Sequence, residues 1–125
     1  MTLIVLHGEL GVARLGPAEP TPGWASAGAL SSVTRTAQEL SVVCAASAIP
    51  AGVQAERDWR CLRVAGPLDL SLAGVLASIA APLADASLPL FAISTYDTDY
   101  VLVRGSDLAA AIECLRSAGH EVLPP

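Results

Sequence analysis

The sequence contains no lysine: its seven basic side chains are all arginine, set against twelve acidic ones, for a net charge of −5. That balance argues against nucleic acid, whose phosphates are met by clustered Lys and Arg. Cysteine is scarce too. Cys44, Cys61 and Cys114 form no CxxC pair, and an odd count suits neither a disulfide framework nor a zinc site. They read as buried thiols of a reducing compartment. No apolar run reaches the roughly 18 residues of a membrane span without a charge or breaker. The start, MTLIVLHGELG, has neither a basic n-region nor a cleavage-like site. A cytoplasmic protein is expected. Gly-rich phosphate loops, HExxH and GxSxG are all missing. His7 and His120 stand far apart, with no nucleophile-and-base pattern around them. Neither a metal nor a cofactor is expected.

The chain does have the means to form a core. Of 125 residues, 53% are hydrophobic and only 15% charged, enough for one compact unit or two small ones sharing a sheet. The first half reads mostly β, with strands over residues 3–6, 11–15, 28–34 and 41–45 and a weak helical tendency over 25–30. Pro- and Gly-rich loops separate these runs, GPAEPTPGW at 16–24 and IPAG at 49–52.

The second half is more regular. WRCLRVAG alternates as a half-buried strand, with Trp59, Cys61, Leu62 and Val64 as its apolar positions. GPLDLS follows as a loop in which Asp69 or Ser71 can cap a helix. Leu72, Val75, Leu76, Ile79 and Leu83 recur at helical spacing over 72–86, although Pro82 inside that run should kink it. Strands over 88–95 and 100–104 come next. A helix capped by Ser106, with Leu108, Ala111, Ile112 and Leu115 on one face, ends at Gly119 before the short strand HEVL. Strand, helix, strand, strand, helix, strand is the split-βαβ, or ferredoxin-like, order.

Two hairpins carry a resemblance. FAISTYDTDYVLV, preceded by GPLDLSLAGVLASIAAPLADA, resembles the ACT small-ligand-binding domain. Within that family it resembles the small bacterial two-ACT proteins related to the CASTOR arginine sensors. SSVTRTAQELSVVC resembles the matching hairpin of a first, degenerate ACT unit, and the two hairpins resemble each other. The resemblance implies an α+β fold of tandem ferredoxin-like units, residues 1–57 degenerate and mostly β and residues 58–125 a full βαββαβ domain. It further implies an amino-acid-binding sensor without an attached catalytic domain. A homodimer and a regulated protein partner are expected with it.

The ligand would need backbone amides for its carboxylate and acceptors for its ammonium. The helix-start loop supplies the first through Gly66, Asp69, Leu70, Ser71 and Gly74; the hairpin tip supplies the second through Thr95, Tyr96, Thr98 and Asp99. The resemblance matches Asp99 to a carboxylate that contacts the ligand side chain in the arginine sensors, and a carboxylate suits a guanidinium fork. Tyr96 keeps the sensors' aromatic after Ser-Thr; Thr98 stands where they have a second one, which leaves the ligand open. Asp97 reads as solvated. Arg35 reads as surface, or as facing a ligand carboxylate. Two other readings stand beside this one: a small enzyme on an amino-acid-like substrate, with Asp99, Asp69 and Tyr96 as acid–base groups, and a structural partner protein whose site has decayed.

Overall fold

The computed structural model describes residues 1–69 and 73–125. Among these residues the order is β1 (Thr2–Val5), β2 (Leu10–Leu15), β3 (Ser32–Arg35), β4 (Leu40–Ala45), β5 (Ala55–Val64), α1 (Val75–Asp85), β6 (Leu90–Ser94), β7 (Asp99–Arg104), α2 (Leu108–Ser117) and β8 (Glu121–Leu123), with short 3-10 turns at Gly23–Ser26, Ala46–Ala48 and Gly105–Asp107. Two compact units form, one from Gly8–Trp59 and one from Met1–His7 with Arg60–Pro125. β5 runs through the division, its residues to Trp59 in the first and from Arg60 in the second.

Within Gly8–Trp59 the strand order is β5-β2-β4-β3. That is the ferredoxin-like arrangement, last strand beside the first, first beside the third, second at the far edge. Its helices are gone: the Gly23–Ser26 and Ala46–Ala48 turns stand where they would run. Gly28 at φ +106° stops the first of these turns two residues after it ends, and Pro50 follows closely on the second. The weak helical tendency over 25–30 thus yields only a single turn. Ala13, Ala25, Leu40, Val42, Cys44 and Ile49 make this unit's core.

In the other unit the order is β8-β1-β5-β7-β6. β1 lies between β5, antiparallel to it (Leu3↔Val64), and β8, parallel to it (Leu3↔Val122). The first strand of the chain, read from sequence as part of the N-terminal half, therefore sits in this sheet. α1 and α2 cover one sheet face and enclose Leu3, Val5, Leu62, Val64, Ile79, Leu83, Val101, Val103, Ala111, Leu115 and Val122. Each large side chain so buried contributes about 1.5–3 kcal/mol. Cys61 is fully buried but lies outside that cluster, so the apolar alternation of β5 changes face between Cys61 and Leu62. Burial pushes the Cys61 thiol up to about 12, the positive charge of Arg63 opposing the rise, and raises that of Cys44.

Both helices differ from expectation at their starts. α1 begins at Val75, and its N-cap is Gly74 at φ +81°, with no side-chain cap. Asp69 is therefore not the cap; Ser71 and Leu72 lie outside the described residues. α2 follows the Gly105–Asp107 turn with Asp107 at its N-cap, so Ser106 does not cap it either. Its end is as expected. Gly119 at φ +95° donates its N–H to Arg116 O (3.0 Å), and the His120 N–H reaches Leu115 O (3.0 Å), the paired bonds of a Schellman motif.

Pro82 lies inside α1 and the helix runs through it. A proline at this position leaves the carbonyl four residues earlier, that of Ser78, without its helical donor. His120 Nε2 donates to that carbonyl at 2.9 Å. Cys114 Sγ donates to Pro82 O at 3.2 Å, tying α2 to the same turn.

Candidate functional site

β6 and β7 pair antiparallel from Leu90↔Val103 to Ser94↔Asp99. The tip closes through one threonine. Thr95 N–H donates to Thr98 O (2.8 Å), while the Thr95 hydroxyl donates to that same carbonyl (3.1 Å) and accepts from Thr98 N–H (3.3 Å). The hydroxyls are thus largely the means of holding the turn shut.

The tip is also fastened to the loop leaving β5. Thr98, 6% exposed, donates its hydroxyl to Val64 O at 2.6 Å, and Leu68 N–H donates to Asp97 O at 2.6 Å. Gly66 makes the approach possible: a Cβ there would stand 3.2 Å from Asp97 O and 3.3 Å from Thr98 Cβ. Thr98, placed among the ligand contacts by sequence, is a buried latch with its hydroxyl already committed.

These fastenings leave a cavity of about 240 Å³ lined by Leu68, Asp69, Val75 and the six residues Ser94, Thr95, Tyr96, Asp97, Thr98 and Asp99. Of the residues singled out in the sequence, Asp69, Thr95, Tyr96, Thr98 and Asp99 meet at this cavity. Gly66 stands behind it. Gly74, next to the lining residue Val75, has open space around its Cα. Leu70 and Ser71 lie outside the described residues.

Ser94, Leu68, Val75 and Asp97 were not among the expected ligand contacts. Ser94 donates its hydroxyl to Asp99 Oδ1 at 2.6 Å and so orients that carboxylate. Strand register, Ser94 opposite Asp99, was the signal that could have found it. Tyr96 is 82% exposed and borders the opening. Asp69, Asp97 and Asp99 bring three carboxylates to the cavity, and among the described residues no arginine or histidine lines it. Among the described residues no group of three His, Cys, Asp or Glu could hold a metal ion.

The N-terminal hairpin repeats the device. Thr36 N–H donates to Glu39 O (2.9 Å), and the Thr36 hydroxyl accepts from Gln38 and Glu39 N–H (3.1 Å each). Thr36 corresponds to Thr95 at one constant offset, which also brings Leu40 of β4 onto Asp99 of β7 and the turn starting at Ala46 onto that starting at Gly105. The site is not repeated. Leu40 is fully buried where Asp99 faces a cavity, and Arg35, at the position of Ser94, donates to the carbonyls of Pro17 and Glu19.

Comparison with known proteins bears on these features. The family model described as ACT domain matches residues 54–117. The chain belongs to the ACT domain family. A second family model, that of an N-terminal domain, matches residues 8–52, ahead of the ACT match. A crystal structure of a protein from Agobacterium tumefaciens is 38% identical, with a TM-score of 0.94, over 99% of this chain and 92% of that one. The cytosolic arginine sensor for mTORC1 subunit 1 of Homo sapiens is 39% identical over 59 residues, 46% of this chain and 18% of the sensor. The chain thus matches less than a fifth of that curated relative's length. The regulatory subunit of aspartate kinase from Thermus flavus shares the fold, with a TM-score of 0.59 at 14% identity over 94% of this chain and 95% of that one. The ACT chain described here is thus a tandem of ferredoxin-like units, the N-terminal one degenerate and mostly β. Among its described residues no helix is long and apolar enough to cross a membrane.

Proposed function

We propose that this ACT protein binds an amino acid at the hairpin-tip cavity and regulates a partner through it. One observation carries the reading: among the described residues three carboxylates and no base line a cavity that abuts the start of α1, whose N-cap Gly74 offers no side chain to the first helical amides. The helix start presents N–H groups and the positive end of a dipole to a ligand carboxylate. Asp69, Asp97 and Asp99 present negative charge to an ammonium and to a cationic side chain. A basic amino acid complements both ends, and the likeness to the human arginine sensor supports the same ligand class. Asp99, held by Ser94, would be the principal side-chain acceptor, with the exposed ring of Tyr96 closing over the ligand.

Binding would draw the tip and the start of α1 together and so shift an interface, which couples the ligand to a partner by the difference in its affinity for the two states. β6 pairs only with β7 among the described residues, leaving an edge open. Side-by-side pairing at such an edge supports a homodimer.

Calorimetry and thermal shift with the twenty amino acids test the proposal. A ligand at 100 times its Kd should stabilise by about 2.7 kcal/mol. The expected result is a response to arginine or lysine that Asp99→Asn removes. A flat response to all twenty, or one unchanged in Asp99→Asn, would refute the site.

A further inference from the structure

We infer that His120 is a positioning residue for the hairpin-tip site: from outside the cavity it fixes the place of the α1 turn that walls it. The inference rests on the ligand site proposed above and adds what holds that site at its working width. His120 is not among the described residues that line the cavity. Its hold runs through Ser78.

Ser78 is the post of the first turn of α1. Its N–H donates to Gly74 O at 2.9 Å, closing the turn on the N-cap, and its hydroxyl donates to Val75 O at 2.7 Å. Val75 lines the cavity, and the helix-start amides that would meet a ligand carboxylate belong to the same turn. The carbonyl of Ser78 has lost its helical donor to Pro82, and His120 Nε2 takes that place at 2.9 Å. A rung inside α1 is thus exchanged for a tether to another element. A helical rung would fix the turn only relative to the rest of α1. The imidazole fixes it to the α2–β8 corner, where the His120 N–H is bonded to Leu115 O (3.0 Å) and the Glu121 N–H to Met1 O (3.0 Å).

The facing wall hangs from the same corner. Leu68 lines the cavity from the loop leaving β5, and that loop begins at Ala65, whose N–H donates to Thr2 O at 2.8 Å. Thr2 opens β1 opposite Glu121 of β8. A ligand clasped between Val75 and Leu68 therefore meets a gap whose two sides are held where β1 begins beside β8. Of these two fastenings, the one from His120 is made by a side chain and can be removed by substitution. Coupling is reciprocal, so a ligand that draws the start of α1 toward the tip must also act on the Ser78–His120 bond.

Calorimetry with arginine and lysine tests this, at a temperature where circular dichroism shows each variant folded. His120→Leu should weaken whichever amino acid the unaltered protein binds by roughly three- to thirtyfold. His120→Gln, which keeps a side-chain N–H donor, should retain most of the affinity. Pro82→Ala combined with His120→Leu should regain stability but not affinity, since the restored rung repairs the helix and not the tether. Affinity that returns with stability in that double variant, or that His120→Leu leaves unchanged, would overturn the inference. A readout on the unaltered protein stands even if a variant fails to fold: the ligand should move the imidazole nitrogen resonances of His120 and leave those of the exposed His7 in place. Still His120 resonances under saturating ligand would also overturn it. Failure of the unaltered protein to bind either amino acid is the distinct result that removes the ligand site itself, and this inference with it.

Discussion

Replacing His120 tests how α1 accommodates its proline. Pro82 deprives Ser78 of a donor, and His120, 8% exposed, supplies one from the residue just ahead of β8 at 2.9 Å. His120→Leu keeps the apolar bulk and removes the donor. Losing a hydrogen bond while leaving a partly buried acceptor unmet costs about 1–3 kcal/mol, and the lost Nδ1 contact to the Met1 amine (3.1 Å) adds to it. A net loss of about 2 kcal/mol is expected. In a Pro82→Ala background the restored N–H of residue 82 can serve Ser78 itself. The Met1 term is common to both backgrounds and cancels. His120→Leu should then cost about 1 kcal/mol less with alanine at 82, and Pro82→Ala should stabilise more once His120 is gone. Urea unfolding of the four proteins measures the coupling, which exceeds the few tenths expected of independent sites. A coupling within about 0.3 kcal/mol of zero, or of opposite sign, would show that His120 does not stand in for the missing helical donor.

Other outcomes follow from the same geometry. Thr98→Val is nearly isosteric but removes the donor to Val64 O (2.6 Å), and should cost about 1–3 kcal/mol by denaturant unfolding whatever the ligand. Gly66→Ala pushes a methyl against Leu68 N (3.1 Å) and Asp97 O (3.2 Å), both backbone, so about 1–3 kcal/mol of stability and much of any hairpin-tip affinity should go together, the latter read by calorimetry. Cys61 should resist alkylation at pH 8 in the folded protein, as followed by intact mass, with Cys114 modified before it. Because the folded Cys61 thiol keeps its proton up to about 12 against an ordinary value of 9.0, its contribution is constant at lower pH; stability should fall between those values as only the unfolded thiol ionises. Cys61→Ala should flatten that decline.

Much of the C-terminal unit was legible residue by residue. Ile79 with Leu83, and Ala111 with Leu115, are the buried pairs that helical spacing implied, and Gly119 takes the positive φ its place after a helix suggested. Such features depend on neighbours within one turn. The caps were misread for the opposite reason. Asp69 and Ser106 have the right side chains, but chain direction at those points depends on what the loops meet: Leu68 N–H is held by Asp97 O, and the helix starts only at Val75. A row of hydroxyls at the hairpin tip looked like ligand contacts, and register alone separates Thr95 and Thr98, which close and latch the turn, from Ser94, which aims Asp99.

The sequence by itself determined the α+β class, the order of elements in the second half, the family likeness carried by the hairpins and the polar residues that gather at the tip. All of these rest on local periodicity and turn chemistry, which a chain carries without knowing its neighbours. Only the tertiary structure decided that β1 inserts between β5 and β8 and that His120 answers for Pro82. Each joins residues dozens of positions apart, through hydrogen bonds and packing that have no counterpart in any short stretch of the chain.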